Sequence, residues 1–292
     1  MYTNIKHIGI ILILTVSFLS CSKSDGERIS LKVQSGKNTK ELTVNGTTRE
    51  YIIHIPENYT RKTPLPILLS FHGLSSNMEY NYNYTKFHEL AESENFIVVH
   101  PNGISKRWST SNLNNADIDF IITLLNQLEG IYNIDPNRIY STGMSMGGFF
   151  SFNLACKLSD RIAAIGSVTG SMYQRAINSC TPSRPMPILQ IHGTEDDIVP
   201  YSGIADVLDY WTNYNNTDTN PIKYNIPDIN PNDGNTVERF DYLNGDKDVE
   251  VIHYKITGGG HKWPGYQGNM DINASKEVWD FVKKFDLNGK IK

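Results

Sequence analysis

Gly143-Met144-Ser145-Met146-Gly147, with Gly148 directly after, is the spacing of a reactive serine on a sharp turn. A serine hydroxyl reaches an acyl carbon best from a strained turn between a strand and a helix. Side chains flanking it there would collide, and glycine removes the collision. The helix that follows offers free backbone N–H groups to a developing oxyanion. The hydroxyl is inert without a base. Two later segments, each after an apolar run, supply partners. Glu195-Asp196-Asp197 stands between His192-Gly193-Thr194 and Ile198-Val199-Pro200, and His261 stands among Gly258, Gly259, Gly260 and Gly265.

That inventory assigns roles. His261 is the expected base, taking the Ser145 proton and returning it to a leaving alcohol. Asp196 is the expected acid, chosen over its neighbours Glu195 and Asp197, and fixes the tautomer of His261. The backbone N–H of Met146 is one oxyanion donor. A second is expected from the turn at His72-Gly73-Leu74, at Leu74. Trp108 and Trp263 are the aromatics nearest the expected cleft, where an indole face would stack on a sugar or phenolic ring, and Asn102 is placed beside them. His192 is expected to brace its own loop, and His88 to sit on a polar helix face. No metal is expected. None of the three cysteines forms a C-x-x-C pair, and the glycine of Asp228-Ile229-Asn230-Pro231-Asn232-Asp233-Gly234 falls one place late for a calcium loop.

These residues need a scaffold. Apolar alternation on either side of Asn45-Gly46 predicts a tight hairpin over 41–54. Strands are predicted at 66–71, 96–99, 138–142, 163–168, 186–191, 237–242 and 249–256. Apolar residues recur at helical spacing from Ile118 to Leu128, which predicts a helix over 116–132. Further helices are predicted at 149–158, 202–214 and 274–285, with an irregular excursion over 213–234. Apolar strands alternating with amphipathic helices make an α/β fold, a mostly parallel sheet with helices on both faces. In such a sheet the loops beyond the strands' carboxyl ends converge, so serine, acid and histidine can meet.

Length and composition agree with one such domain. The chain has 292 residues, 39% of them apolar and 20% charged, which excludes a disordered or collagen-like chain. The net charge of -4 and the lack of a basic block give nucleic-acid binding no electrostatic basis. Residues 1–21 read as a bacterial lipoprotein signal. They hold Lys6, then an apolar run too short to span a bilayer, then Phe18-Leu19-Ser20-Cys21. Cleavage before Cys21 and lipid on its thiol would hold the protein on a membrane while its domain stays in water. Residues 22–37 read as a polar tether and 38–292 as the domain. Cys156 and Cys180 then remain as an even pair in an oxidising compartment, which predicts a disulfide.

From about residue 47 to 285 the chain resembles the secreted esterases grouped as poly(3-hydroxybutyrate) depolymerase-like and feruloyl or acetylxylan esterases (carbohydrate esterase family one). The matching words are Phe71-His72-Gly73, Pro101-Asn102-Gly103 with Trp108, and Ile134-Asp135-Pro136-Asn137-Arg138-Ile139-Tyr140. They continue with Thr142 to Gly148, Leu154-Ala155-Cys156, His192-Gly193-Thr194 with Asp196, Val199-Pro200-Tyr201, and Gly258 to His261 with Trp263-Pro264-Gly265. The resemblance implies an α/β-hydrolase fold without a cofactor, the triad Ser145, Asp196 and His261, and the Cys156–Cys180 bridge. Two positions depart from the family: Leu74 stands where cysteine is frequent, and Met146 where asparagine is. The implied substrate is a small-molecule or oligosaccharide ester, most simply an acyl or feruloyl ester on plant polysaccharide. Hydroxyalkanoate oligomers are the alternative, and a non-catalytic binding lipoprotein is the reading from another class.

Overall fold

The computed structural model describes residues 33–292, so the expected signal over 1–21, the lipidation site Cys21 and most of the tether lie outside the described residues. Residues Gln34–Lys292 form one compact unit. Its elements in chain order are β1 (Gly36–Val44), β2 (Thr47–Ile55), β3 (Leu65–Phe71), α1 (Met78–Thr85), α2 (Phe87–Glu94), β4 (Ile97–Pro101), α3 (Ala116–Ile131), β5 (Ile134–Met144) and α4 (Met146–Lys157). They continue with β6 (Ala164–Val168), α5 (Gln174–Ser179), β7 (Ile188–Gly193), α6 (Ile204–Asn215), β8 (Ile222–Asn225), β9 (Thr236–Tyr242), β10 (Val251–Thr257), α7 (Ala274–Val282), β11 (Phe285–Asp286) and β12 (Gly289–Lys290).

The first hairpin turns where expected. Asn45 and Gly46 both have positive φ, 49° and 79°, as a type I′ turn requires. Val44 pairs with Thr47, and the ladder runs back to Gly36 opposite Ile55. Gly36 and Lys37 therefore belong to β1, which corrects the tether boundary. The strand start is hidden by its polar composition, because most of its side chains face water.

Ten strands form one sheet in the order β1-β2-β4-β3-β5-β6-β7-β10-β9-β8. The run from β4 to β10 is parallel. Antiparallel strands flank it on both sides. Every residue of β3, β4, β6 and β7 is buried, the mark of strands covered on both faces. Neighbours on β6 show the two layers. A Cβ on Gly166 would press on Val278 of α7, whereas the Ser167 hydroxyl lies against Gly148 of α4. Successive residues of a strand point to opposite faces, so α7 and α4 cover opposite sides.

Helix α1 escapes the sequence reading for a physical reason. The buried residues of α1 are Asn81, Tyr82, Tyr84 and Thr85 rather than aliphatics. Their polar atoms are satisfied inside: Asn81 Nδ2 donates to Ser70 O and Ser70 Oγ, both at 3.0 Å. The excursion over 213–234 likewise contains β8, an edge strand exposed along its whole length and paired with β9. Helix α4 starts at Met146, three residues earlier than expected, so it follows Ser145 without a gap.

Two enclosed histidines make this core sensitive to acid. His100 on β4 is fully buried, and burial pushes its imidazole down to about 3. Burial likewise holds His253 on β10 down to about 4, although Nδ1 donates to Gln190 O. Both are neutral in the native state, whereas in the unfolded chain they titrate near 6.5. Their stabilisation is complete above that value and is lost as pH falls towards the native values. At pH 5 the loss is about 2 kcal/mol per histidine. The urea midpoint should therefore fall between pH 7 and pH 5, and fall less in a His100→Gln, His253→Gln double variant. Equal midpoints at the two pH values for the wild type would falsify this account.

Candidate active site

Strand β5 ends at Met144 and α4 begins at Met146, which leaves Ser145 alone in the turn with φ 54° and ψ −123°. That backbone is strained for a residue with a Cβ, by about 1–3 kcal/mol. The surroundings hold it there. Ser145 N–H donates to Val168 O at 2.9 Å, and its carbonyl accepts from Phe149 N at 3.0 Å. A Cβ on Gly143 would strike the Gly147 backbone, and one on Gly147 would strike the Phe71 carbonyl. Glycine at these two positions is a requirement of the turn.

The loop after β3 passes beside the serine, with a Cβ built on Gly73 lying 3.5 Å from Ser145 Cβ. The loop is pinned from several sides. His72 Nδ1 donates to Gly73 O at 2.7 Å, and His72 Nε2 accepts from Gly103 N at 2.9 Å. Trp108 Nε1 donates to His72 O at 3.0 Å, and Ser75 N to Lys106 O at 2.9 Å. Burial lowers the His72 imidazole, consistent with this neutral tautomer. Leu74, half-exposed, lines the cleft in front of Ser145. On the other side Met146 N is the first N–H of α4, one that has no partner within its own helix. The Met146 sulfur accepts from Trp108 N at 3.3 Å, so it fills its position with a contact to the same pinned loop.

The loops after β7 and β10 are stitched together. Thr194 N donates to Ile256 O, Glu195 N to Gly259 O and Gly258 N to Thr194 Oγ1. A Cβ on Gly193 would strike the Gly259 backbone, so glycine permits the approach. The result brings His261 Nδ1 to 2.7 Å from Asp196 Oδ2. Asp196 is buried, whereas Glu195 and Asp197 are exposed. Burial alone would raise the Asp196 carboxyl. Hydrogen bonds from His192, His261 and Val199 N outweigh it and hold the group well below the usual carboxylate range. With Nδ1 engaged, Nε2 is the nitrogen of His261 left to take a proton. His261 and Ser145 line the same cleft of about 240 Å³. His192 braces its loop through Val199 O at 2.8 Å.

Three expected substrate contacts fall elsewhere. Trp108 is buried and stacks on Phe150 with centroids 5.0 Å apart. Trp263 is buried too, and its Nε1 donates to Ser275 Oγ at 3.0 Å. Neither presents an indole face to the cleft. Asn102 is occupied by Glu50: its Nδ2 donates to Glu50 Oε2 at 3.0 Å and its N to Glu50 O at 2.9 Å. The aromatic residues that do line the cleft are Tyr80 and Tyr84 of α1. Tyr80 is 54% exposed and stacks on Tyr84 with centroids 5.1 Å apart. Their i, i+4 spacing was the available signal, and it went unused because the helix itself was not foreseen. His88 also differs from expectation, being half-buried and stacked on Tyr82 at 4.1 Å.

Cys156 near the end of α4 and Cys180 just after α5 form a disulfide with a Cα–Cα distance of 4.9 Å. On the chain-entropy estimate it stabilises the fold by about 3 kcal/mol. A wider cavity of about 500 Å³ lies beside it, and neither Ser145 nor His261 lines that cavity.

A mostly parallel sheet, a serine on a strand–helix elbow, and an Asp–His pair on later strand ends define an α/β-hydrolase. The family model Esterase ("Putative esterase") matches residues 43–272, and the chain belongs to that family of carboxylic ester hydrolases. The chain is 29% identical over 248 residues to the bifunctional acetylxylan esterase/xylanase of Neocallimastix patriciarum; the match covers 84% of this chain but only 35% of that protein. It is 25% identical over 262 residues to Feruloyl esterase D of Neurospora crassa, covering 85% of this chain and 86% of that one. The acetyl xylan esterase from Aspergillus awamori shares the fold, with a TM-score of 0.65 at 15% identity over 84% of this chain and 99% of that one.

Proposed function

We propose that the protein is a serine esterase that removes acyl or feruloyl groups from plant polysaccharide fragments. The observation that carries this reading is the 2.7 Å hydrogen bond from His261 to Asp196 beside a cleft that His261 shares with the strained Ser145. Ser145 Oγ attacks the ester carbonyl while His261 Nε2 takes its proton. The backbone N–H groups of Met146 and Leu74 receive the oxyanion. His261 passes the proton to the leaving alcohol, and water then repeats the sequence on the acyl-enzyme. Asp196 keeps the hydrogen of the neutral ring on Nδ1 and offsets the charge of the imidazolium. Secretion with lipid on Cys21 completes the reading, and the disulfide suits an oxidising compartment.

On the substrate side, the exposed Tyr80 ring offers a flat face to a phenolic or sugar ring. The full chain should release ferulate or acetate from decorated oligosaccharides faster than hydroxybutyrate from its oligomers. Tyr80→Ala should raise KM for a feruloyl ester about 3- to 10-fold and leave an acetyl ester of a simple alcohol unchanged. Preferential release of hydroxybutyrate would replace the proposed substrate. An equal effect of the variant on both esters would remove Tyr80 from ring recognition.

A further inference from the structure

The Asp196–His261 pair has a buried neighbour that the proposed reaction does not use. His192 and Gln190 sit on β7 with no exposure, and His192 reaches the same carboxylate as His261. Gln190 Nε2 donates to Gly170 O at 2.8 Å and lies 3.0 Å from His192 Nδ1. A carbonyl can only accept, so the amide nitrogen, not its oxygen, must occupy that corner. Its second hydrogen then points at His192 Nδ1, which must accept. The hydrogen of the neutral imidazole is thereby placed on Nε2, which lies 2.8 Å from Val199 O and 3.3 Å from Asp196 Oδ2. This arrangement leaves Gln190 Oε1 buried without a partner among the described residues. An unpaired buried acceptor is a standing cost to the fold, and an apolar side chain of the same size would avoid it.

We propose that Gln190 and His192 are positioning residues of the esterase site: the Gln190 amide fixes His192 as its Nε2–H tautomer, and that N–H steadies the Asp196 carboxylate against His261. The inference rests on the proposed triad. It explains why two imidazoles converge on one carboxylate: one supplies an uncharged donor and the other is the base. The charged and titratable groups around His192 are few. Asp196 lies in its own loop and Tyr201 packs edge-on at 6.0 Å. From β10, His253 hydrogen-bonds the Gln190 carbonyl, and Lys255, opposite His192, turns to Glu238.

The test uses the full chain. In wild-type protein with 15N-labelled histidine, NMR should show His192 at neutral pH with Nε2 protonated and Nδ1 bare. A proton on Nδ1 overturns the proposal. Gln190→Glu replaces the donor with an acceptor, so Nδ1 should become protonated and His192 a cation against Asp196. The same NMR measurement reads that change directly, and kcat for an aryl acetate should fall about tenfold at constant KM. A His192 Nδ1 that stays bare in this variant overturns the proposal. If the glutamate variant does not fold, a second pair decides. His192→Gln, whose amide can donate from the Nε2 position, should retain kcat, and His192→Leu should lose about tenfold at constant KM. Equal kcat in those two variants also overturns it. If wild-type protein hydrolyses no ester, the tautomer still decides this inference while the esterase reading fails by itself.

Discussion

The Ser145→Ala variant is expected to lose ester hydrolysis by roughly five orders of magnitude in kcat while folding as the wild type does. Of the residues that line the cleft, Ser145 alone stands on the strand–helix elbow. Met144, Leu74 and Gly73 offer no nucleophile, and the other hydroxyls of the lining, on Ser76, Tyr80 and Tyr84, lie in the loop after β3 and on α1, away from the turn into α4. The elbow itself survives the change. Its geometry is held by Ser145 N–H to Val168 O and by the tight passage of Gly147 under the Phe71 carbonyl, not by the hydroxyl. Alanine carries the same Cβ through the same positive φ, so stability should differ little. A fluorophosphonate probe gives the direct measurement. Wild type should be labelled at Ser145, and the alanine variant should not. Absence of labelling on well-folded wild type would support a binding protein on a hydrolase scaffold and end the esterase reading.

Legibility in the sequence followed the kind of physical signal each residue carries. The Asn45-Gly46 turn, strand β5, the glycines around Ser145 and the histidine among Gly258 to Gly260 were readable because backbone geometry dictates residue type there. Asp196 is already the choice among three adjacent carboxylates in the sequence reading, and the fold adds a physical ground for it: this side chain is buried while its two neighbours are exposed. The tryptophans misled for the opposite reason. A large amphipathic ring near a glycine-rich motif serves equally well inside or at a rim, and composition does not separate the two. In the structure Trp108 works inward, tying the His72 carbonyl and packing on Phe150. Helix α1 was unreadable because its buried face is amide and phenol. The exposed ring that it carries to the cleft, Tyr80, was lost with it. The Gln190–His192 tautomer belongs to the same class, being set by a carbonyl on another strand's loop.

Asp196→Asn is expected to lower kcat by about 10³- to 10⁴-fold with KM nearly unchanged. The size of the effect follows from what surrounds the carboxylate. Oδ1 accepts Ile198 N at 3.0 Å and Val199 N at 2.8 Å, and Oδ2 accepts His261 Nδ1 at 2.7 Å with His192 Nε2 at 3.3 Å. All four neighbours donate, so an ionised carboxylate satisfies every one of them. An asparagine cannot. The two backbone N–H groups claim its oxygen, which turns its amide N–H towards both imidazoles. To avoid a clash of donors, His261 must release its Nδ1 hydrogen and carry it on Nε2, the nitrogen that accepts from Ser145 in the proposed reaction. The base is then blocked by its own tautomer, although each heavy atom stays close to its place. Glu195→Gln and Asp197→Asn serve as controls: both side chains point to solvent, and each variant should remain within about twofold of wild type. Steady-state kinetics on an aryl acetate, with near-UV circular dichroism to check folding, decides the matter. If Asp197→Asn costs as much as Asp196→Asn, or if the asparagine at 196 retains near-normal kcat, the acid has been assigned to the wrong residue.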